Sequence, residues 1–136
     1  MVDEVKIMKT VVIDTNIILR YLLGEKESEN IEKIFNSKNR LFIPDIVVAE
    51  VVWTLQRYYK WEKNKIVELF VSIFSNGNVE FNQAQIFSTF ETYLKYNVKY
   101  ADAYIYQLMS QKKLKYIYSY DREFDRLEEI QRIEPK

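Results

Sequence analysis

Four acidic side chains stand where their types and positions could do chemistry. Asp14 ends the β-branched run Thr10-Val11-Val12-Ile13, and Asp121 follows Tyr116-Ile117-Tyr118 by way of Ser119 and Tyr120. Glu50 interrupts the apolar stretch that runs from Ile46 to Trp53. Asp102 sits in Tyr100-Ala101-Asp102-Ala103-Tyr104-Ile105, beside the apolar positions Ala101, Ile105, Leu108 and Met109, so it borders a core face. The chain has no His and no Cys. That removes a Ser-His-Asp triad, a Cys–His pair and the usual zinc sites. What remains is carboxylate chemistry. Acids brought close repel one another and keep their charge only when a cation compensates. A hard divalent ion such as Mg²⁺ or Mn²⁺, held by carboxylates and water, meets that need. One such ion, or two about 4 Å apart, activates water for attack on a phosphodiester.

Each acid also has a plainer reading. Asp14 and Asp121 suit the cap position of a following helix. Asp102 is favourable near the positive end of its own helix. Glu50 either lies on a narrow solvated stripe or must find a cation or donor, because burying a lone carboxylate is expensive.

The elements that must position these acids are legible from periodicity. Thr10–Ile13 reads as a buried strand, Ile17–Leu23 as a helix stopped near Gly24, and Glu25–Ser37 as a second helix. Leu41–Ile43 is a short strand. Pro44 and Asp45 open a long helix through Tyr59, with Asp45 as its cap, and Glu62–Phe74 follows with Ile66, Leu69, Phe70 and Ile73 as its apolar stripe. Ser75–Asn78 is a turn, Val79–Phe81 a short strand, and Gln83–Tyr96 and Lys99–Lys113 are two more helices. Tyr116–Tyr118 is a strand, Arg122–Leu127 a short helix, and Arg132-Ile133 a last edge strand. Short apolar strands alternating with helices indicate an α/β fold with a parallel sheet. In such folds ligands bind beyond the carboxyl ends of the strands, where Asp14 and Asp121 lie.

With 136 residues, 48% hydrophobic and 29% charged, the chain is expected to be one globular domain, with residues 1–9 as a tail or a lead-in to the first strand. Met1–Lys6 lacks the apolar stretch of a signal peptide, and no run reaches the length of a membrane span, so a cytoplasmic location is the default expectation. Lys plus Arg equals Asp plus Glu at 20 each, so net charge gives no support for a nucleic-acid partner. It does not argue against one either, because metal ions on carboxylates reverse the local sign. Arg57, Lys60, Lys63 and Lys65 interleave with Tyr58, Tyr59 and Trp61, a mix that can track phosphates and stack bases or simply cover a helix end.

The motifs together resemble the PIN-domain ribonucleases, particularly the VapC-like toxins of toxin–antitoxin pairs. The matching pieces are Val12-Ile13-Asp14-Thr15-Asn16, Ile43-Pro44 with Val48-Ala49-Glu50-Val51, Tyr100-Ala101-Asp102-Ala103, and Ser119-Tyr120-Asp121-Arg122-Glu123-Phe124-Asp125. The resemblance covers about Val11 to Pro135. It implies a three-layer α/β/α fold with a short central parallel sheet surrounded by helices. It also implies a metal-dependent endoribonuclease, with Asp14, Glu50, Asp102 and Asp121 as the catalytic, metal-binding acids. Asn16 would orient Asp14 or a water, and Ser119 would hydrogen-bond within the cluster. Asp125 would stand in for Asp121, reach a second metal, or point to solvent. RNA would be the substrate, a short antitoxin the partner, and a homodimer the assembly. The dimer contact would fall on Ile17–Leu23, Glu25–Ser37 and the region from Trp53 to Trp61.

Other classes remain to be weighed. A phospho-accepting receiver is also α/β with an acid at a strand end, but it needs adjacent acids after its first strand, and Asp14 is followed by Thr15 and Asn16. A non-catalytic PIN-like binding module would lack one of the acids, and none is lacking. A stand-alone RNA-processing nuclease or a DNA-directed nuclease would use the same acids, since carboxylates and metal do not read the 2′-hydroxyl.

Overall fold

A computed structural model describes residues 9–136. The expected tail or lead-in at residues 1–8 lies outside the described residues. Lys9 leads directly into the first strand, its carbonyl accepting from the Arg40 N–H at 2.9 Å.

The chain runs β1 (Thr10–Val12), α1 (Thr15–Leu22), α2 (Ser28–Phe35), β2 (Arg40–Phe42), α3 (Asp45–Arg57), α4 (Lys63–Phe74) and β3 (Val79–Glu80). It continues with α5 (Gln83–Lys95), α6 (Tyr100–Gln111), β4 (Tyr116–Tyr118), a 3-10 turn (Arg122–Arg126) and β5 (Gln131–Ile133). Every strand pair is parallel. One ladder has the order β1-β2-β3, with Val11 opposite Leu41 and Leu41 opposite Val79. A second ladder pairs β4 with β5, Ile117 opposite Arg132. The long crossovers through helices, α1 and α2 between β1 and β2 and α3 and α4 between β2 and β3, are what parallel pairing demands.

The core is filled by one face of each long helix. Val48, Val51, Val52 and Leu55 of α3 cluster with Ile66 and Phe70 of α4, Ile86 and Tyr93 of α5, Leu41 in the middle of β2 and Ile43 just past it. Their spacing of three and four residues is the amphipathic pattern of a core-facing helix.

Two local expectations change. The run Thr10–Ile13 was expected to be a buried strand, yet Val11 and Val12 are exposed and only Ile13 is buried. β1 is an edge strand whose outer side has no neighbour among the described residues, and β4 likewise exposes Tyr116 and Tyr118. Asp45 was expected to cap α3, but Pro44 takes the cap position and Asp45 is the first helical residue. The Asp45 carboxylate instead accepts from the Tyr104 hydroxyl at 2.7 Å and the Asn82 amide at 3.3 Å. Gly24 ends the α1 turn at φ +64°, a left-handed conformation that glycine adopts without strain.

Candidate metal centre

The start of α6 and the 3-10 turn build the site together. Lys99 takes the cap position of α6, and Asp102 lies in the first turn, 8% exposed. Beyond β4, the Asp121 Oδ1 accepts from the Glu123 N–H at 2.9 Å and so starts the 3-10 turn. That tight turn brings Glu123 back toward α6. Its Oε1 accepts from the Lys99 backbone N–H at 3.0 Å, satisfying one of the donors a helix start leaves open. The result is a trio. Asp102, Asp121 and Glu123 each place a carboxylate oxygen within 4.8 Å of the others.

The electrostatics of the trio are uneven. Burial pushes the Asp102 carboxyl up to about 6, and the neighbouring charges of Asp121 and Glu123 add to the rise. The Asp121 carboxyl is held below its usual value, chiefly by the Glu123 N–H and then by Lys99. Lys99 Nζ stands 3.4 Å from Asp121 and 3.5 Å from Glu123, and those two charges raise its own pKa. Asp102 Oδ2 is buried and has no hydrogen-bond partner. A buried oxygen left unpaired costs free energy unless something satisfies it. Three converging carboxylates, one of them with an orphaned buried oxygen, fit a hard divalent cation such as Mg²⁺ or Mn²⁺.

The residues singled out from the sequence are distributed as follows. Asp102 and Asp121 are brought together, and Ser119 supports them by accepting from the Asp121 N–H through its hydroxyl at 3.0 Å. Asp14 caps α1, its Oδ1 accepting from the Thr15 N–H at 2.7 Å, and it is not among the clustered acids. Asn16 is exposed and makes no side-chain hydrogen bond among the described residues. Glu50 is exposed on α3 and also lies outside the trio. Asp125 faces away and forms a two-pronged pair with Arg132, at 3.0 and 3.2 Å. Sequence reasoning did not single out Glu123. The available signal was its place two residues after Asp121, in a segment too short and acidic for an ordinary helix.

The family model for the PIN domain matches residues 11–130 of the chain. The chain belongs to the PIN domain family. This PIN domain is 37% identical over 75 residues to the VapC ribonuclease of Aquifex aeolicus. That match takes in 50% of this chain and 56% of the relative, so just over half of the relative's length is covered. Among solved structures, the VapC20 toxin of Mycobacterium tuberculosis, described as cleaving the sarcin–ricin loop, aligns over 86% of this PIN domain and 93% of its own chain. The identity is 14% and the TM-score 0.39.

Proposed function

We propose that this PIN domain is a metal-dependent endoribonuclease, the toxin of a toxin–antitoxin pair, that hydrolyses RNA phosphodiester bonds in the cytoplasm. The observation that carries the reading is the convergence of Asp102, Asp121 and Glu123, with a buried Asp102 oxygen unpaired. Those three carboxylates would hold Mg²⁺ or Mn²⁺. The bound ion would supply Lewis acidity toward a phosphate oxygen and a water. Asp121 stays ionised because of the N–H it accepts, and is therefore ready to receive a cation at neutral pH. A bound cation would draw the raised Asp102 carboxyl back down, because the added positive charge favours its ionised form. Ser119 and the Lys99 backbone N–H fix the orientation of Asp121 and Glu123.

The similarity to a VapC ribonuclease supports the toxin role and an antitoxin partner. Lys99 already rests against Asp121 and Glu123, so the trio attracts a side-chain cation as well as a metal. An antitoxin arginine placed there would compete with the ion, since its guanidinium matches carboxylate geometry and keeps its charge. A homodimer completes the proposal, with its contact on α1 and α2, which leaves the face from Trp53 to Trp61 open.

Purified protein is expected to cut single-stranded RNA in Mg²⁺ or Mn²⁺, and EDTA is expected to abolish the cutting. Mn²⁺ should also raise the Tm of the parent protein but not of Asp102→Asn, and that variant should lose roughly a hundredfold or more in rate. Full activity in excess chelator overturns the metal mechanism. Asp14→Asn asks whether Asp14, at the carboxyl end of β1, also serves the site. Asparagine caps a helix as well as aspartate but carries no charge, so lost cleavage at an unchanged Tm assigns Asp14 to the site, and retained cleavage leaves it a helix cap.

A further inference from the structure

The basic and aromatic interleave after α3 resolves, in three dimensions, into two separate roles. Lys63 turns inward. Its ammonium donates to the carbonyls of Tyr93 at 3.0 Å, Tyr96 at 3.4 Å and Val98 at 2.8 Å. Lys65 lies over the Trp61 ring at 4.1 Å. Arg57 and Lys60 are left exposed and without an ion pair among the described residues. They line a groove of about 530 Å³ together with Trp53, Lys99, Arg126 and Glu123.

The composition of that groove is specific. Trp53 is 52% exposed, held at its edge by Tyr58 at a centroid distance of 5.4 Å. Arg126 spends one guanidinium nitrogen on the Asn97 carbonyl, which fixes its place on the wall. Trp53 and Arg57 are four residues apart on α3 and share a helix face, with Lys60 continuing past its end. Lys99 and Glu123 belong both to the groove and to the acid site, so the groove runs directly into the carboxylates. An aromatic face flanked by unpaired cations is the chemistry that holds a single-stranded nucleic acid, base on ring and phosphate on cation.

We propose that this groove is the single-stranded RNA track of the domain. Trp53 stacks an unpaired base, while Arg57, Lys60 and Arg126 hold successive phosphates and lead a phosphodiester to Asp102, Asp121 and Glu123. The proposal rests on the nuclease reading above and deepens it by naming the residues that would guide the strand to the acids. A duplex keeps its bases stacked on one another and offers Trp53 no partner, so the groove selects unpaired strands.

The test uses Asp102→Asn as a non-cleaving background and a fluorescent single-stranded RNA of about a dozen nucleotides. Binding is followed by anisotropy across a salt series. Adding Arg57→Glu with Lys60→Glu is expected to weaken binding roughly tenfold or more and to flatten the salt dependence, at an unchanged Tm. Trp53→Ala should weaken binding with the salt slope unchanged, because stacking releases no counterions. Lys112→Glu with Lys113→Glu, at the far end of α6, should leave affinity near the parent's. Groove variants that bind as the background does, or a preference for duplex of the same sequence, overturn the track. If the background binds RNA and the parent cleaves it while the groove variants are silent, only the track fails. If the parent neither binds nor cleaves RNA, the nuclease reading falls and the track with it. If the groove variants instead lose the protein product of the neighbouring reading frame and keep RNA, the groove is a protein-docking surface and the proposal is overturned.

Discussion

Asp102 carries a stability signature that can be measured without any metal. Its carboxyl is raised from 3.8 to about 6 by burial and by the charges of Asp121 and Glu123. The folded protein therefore takes up this proton before the unfolded chain does as pH falls. The stabilising contribution of the group is complete below its unfolded pKa and is lost as pH rises through the folded one. Asp121 and Asp125 are held low and act in the opposite sense, at more acid pH. In EDTA, Tm is expected to rise as pH is lowered from about 7.5 to about 5. Asp102→Asn should start higher at neutral pH and lose most of that rise. A parent profile that is flat or falls over this range would remove Asp102 as the titrating group. At this scale the sequence is a partial guide. Asp102 stood out because it bordered an apolar face, and Asp121 because it followed a strand. Glu123 escaped notice because its approach depends on a 3-10 turn, whose tighter winding no hydrophobic period announces.

At the level of elements, the long helices could be read because each has a continuous apolar stripe, as in Ile66, Phe70 and Ile73 of α4. β1 was harder. Its β-branched residues have the composition of a buried strand, but burial depends on a neighbour that pairs with its outer edge, and composition does not report neighbours. Asp45 misled for a related reason, since a distant hydroxyl on α6 claims its carboxylate ahead of the local cap. Lys63 is the strongest case of long-range assignment. It read as one member of a basic cluster, yet it ties the start of α4 to the carbonyls at the end of α5, 30 to 35 residues away. Burial lowers its pKa, and the Tyr93 ring lies 4.2 Å from its nitrogen. Lys63→Met should leave those carbonyls without their donor and cost about 1–3 kcal/mol. Urea denaturation is the check, and a loss below about 0.5 kcal/mol would mean that water replaces the ammonium without penalty.

For the whole molecule, a net charge of zero concealed a separation of signs. Three carboxylates gather at one place, and the cations of the adjoining groove stand beside them. Counting charges cannot reveal this, because it is a property of the fold. The proposed assembly is tested at the same scale. Light scattering at micromolar concentration is expected to return about twice the 16.5 kDa chain mass, and a clean monomer mass would refute the dimer. No described helix is long and apolar enough to cross a membrane. One further feature bears on how the metal centre comes to exist. α5 and α6 are joined by amides and hydroxyls as well as by apolar packing. Gln111 donates to Gln85 at 2.6 Å, Gln85 donates to the Tyr104 carbonyl at 3.3 Å, and Gln107 donates to Thr92. An oily seam would tolerate several axial offsets of one helix against the other. Directional pairs act instead as detents, because sliding α6 by one turn, about 5.4 Å, would unseat all of them at once. The depth of Asp102 along α5 is thus set as the helices dock, so a cation would meet a carboxylate already seated rather than one it had to pull into place.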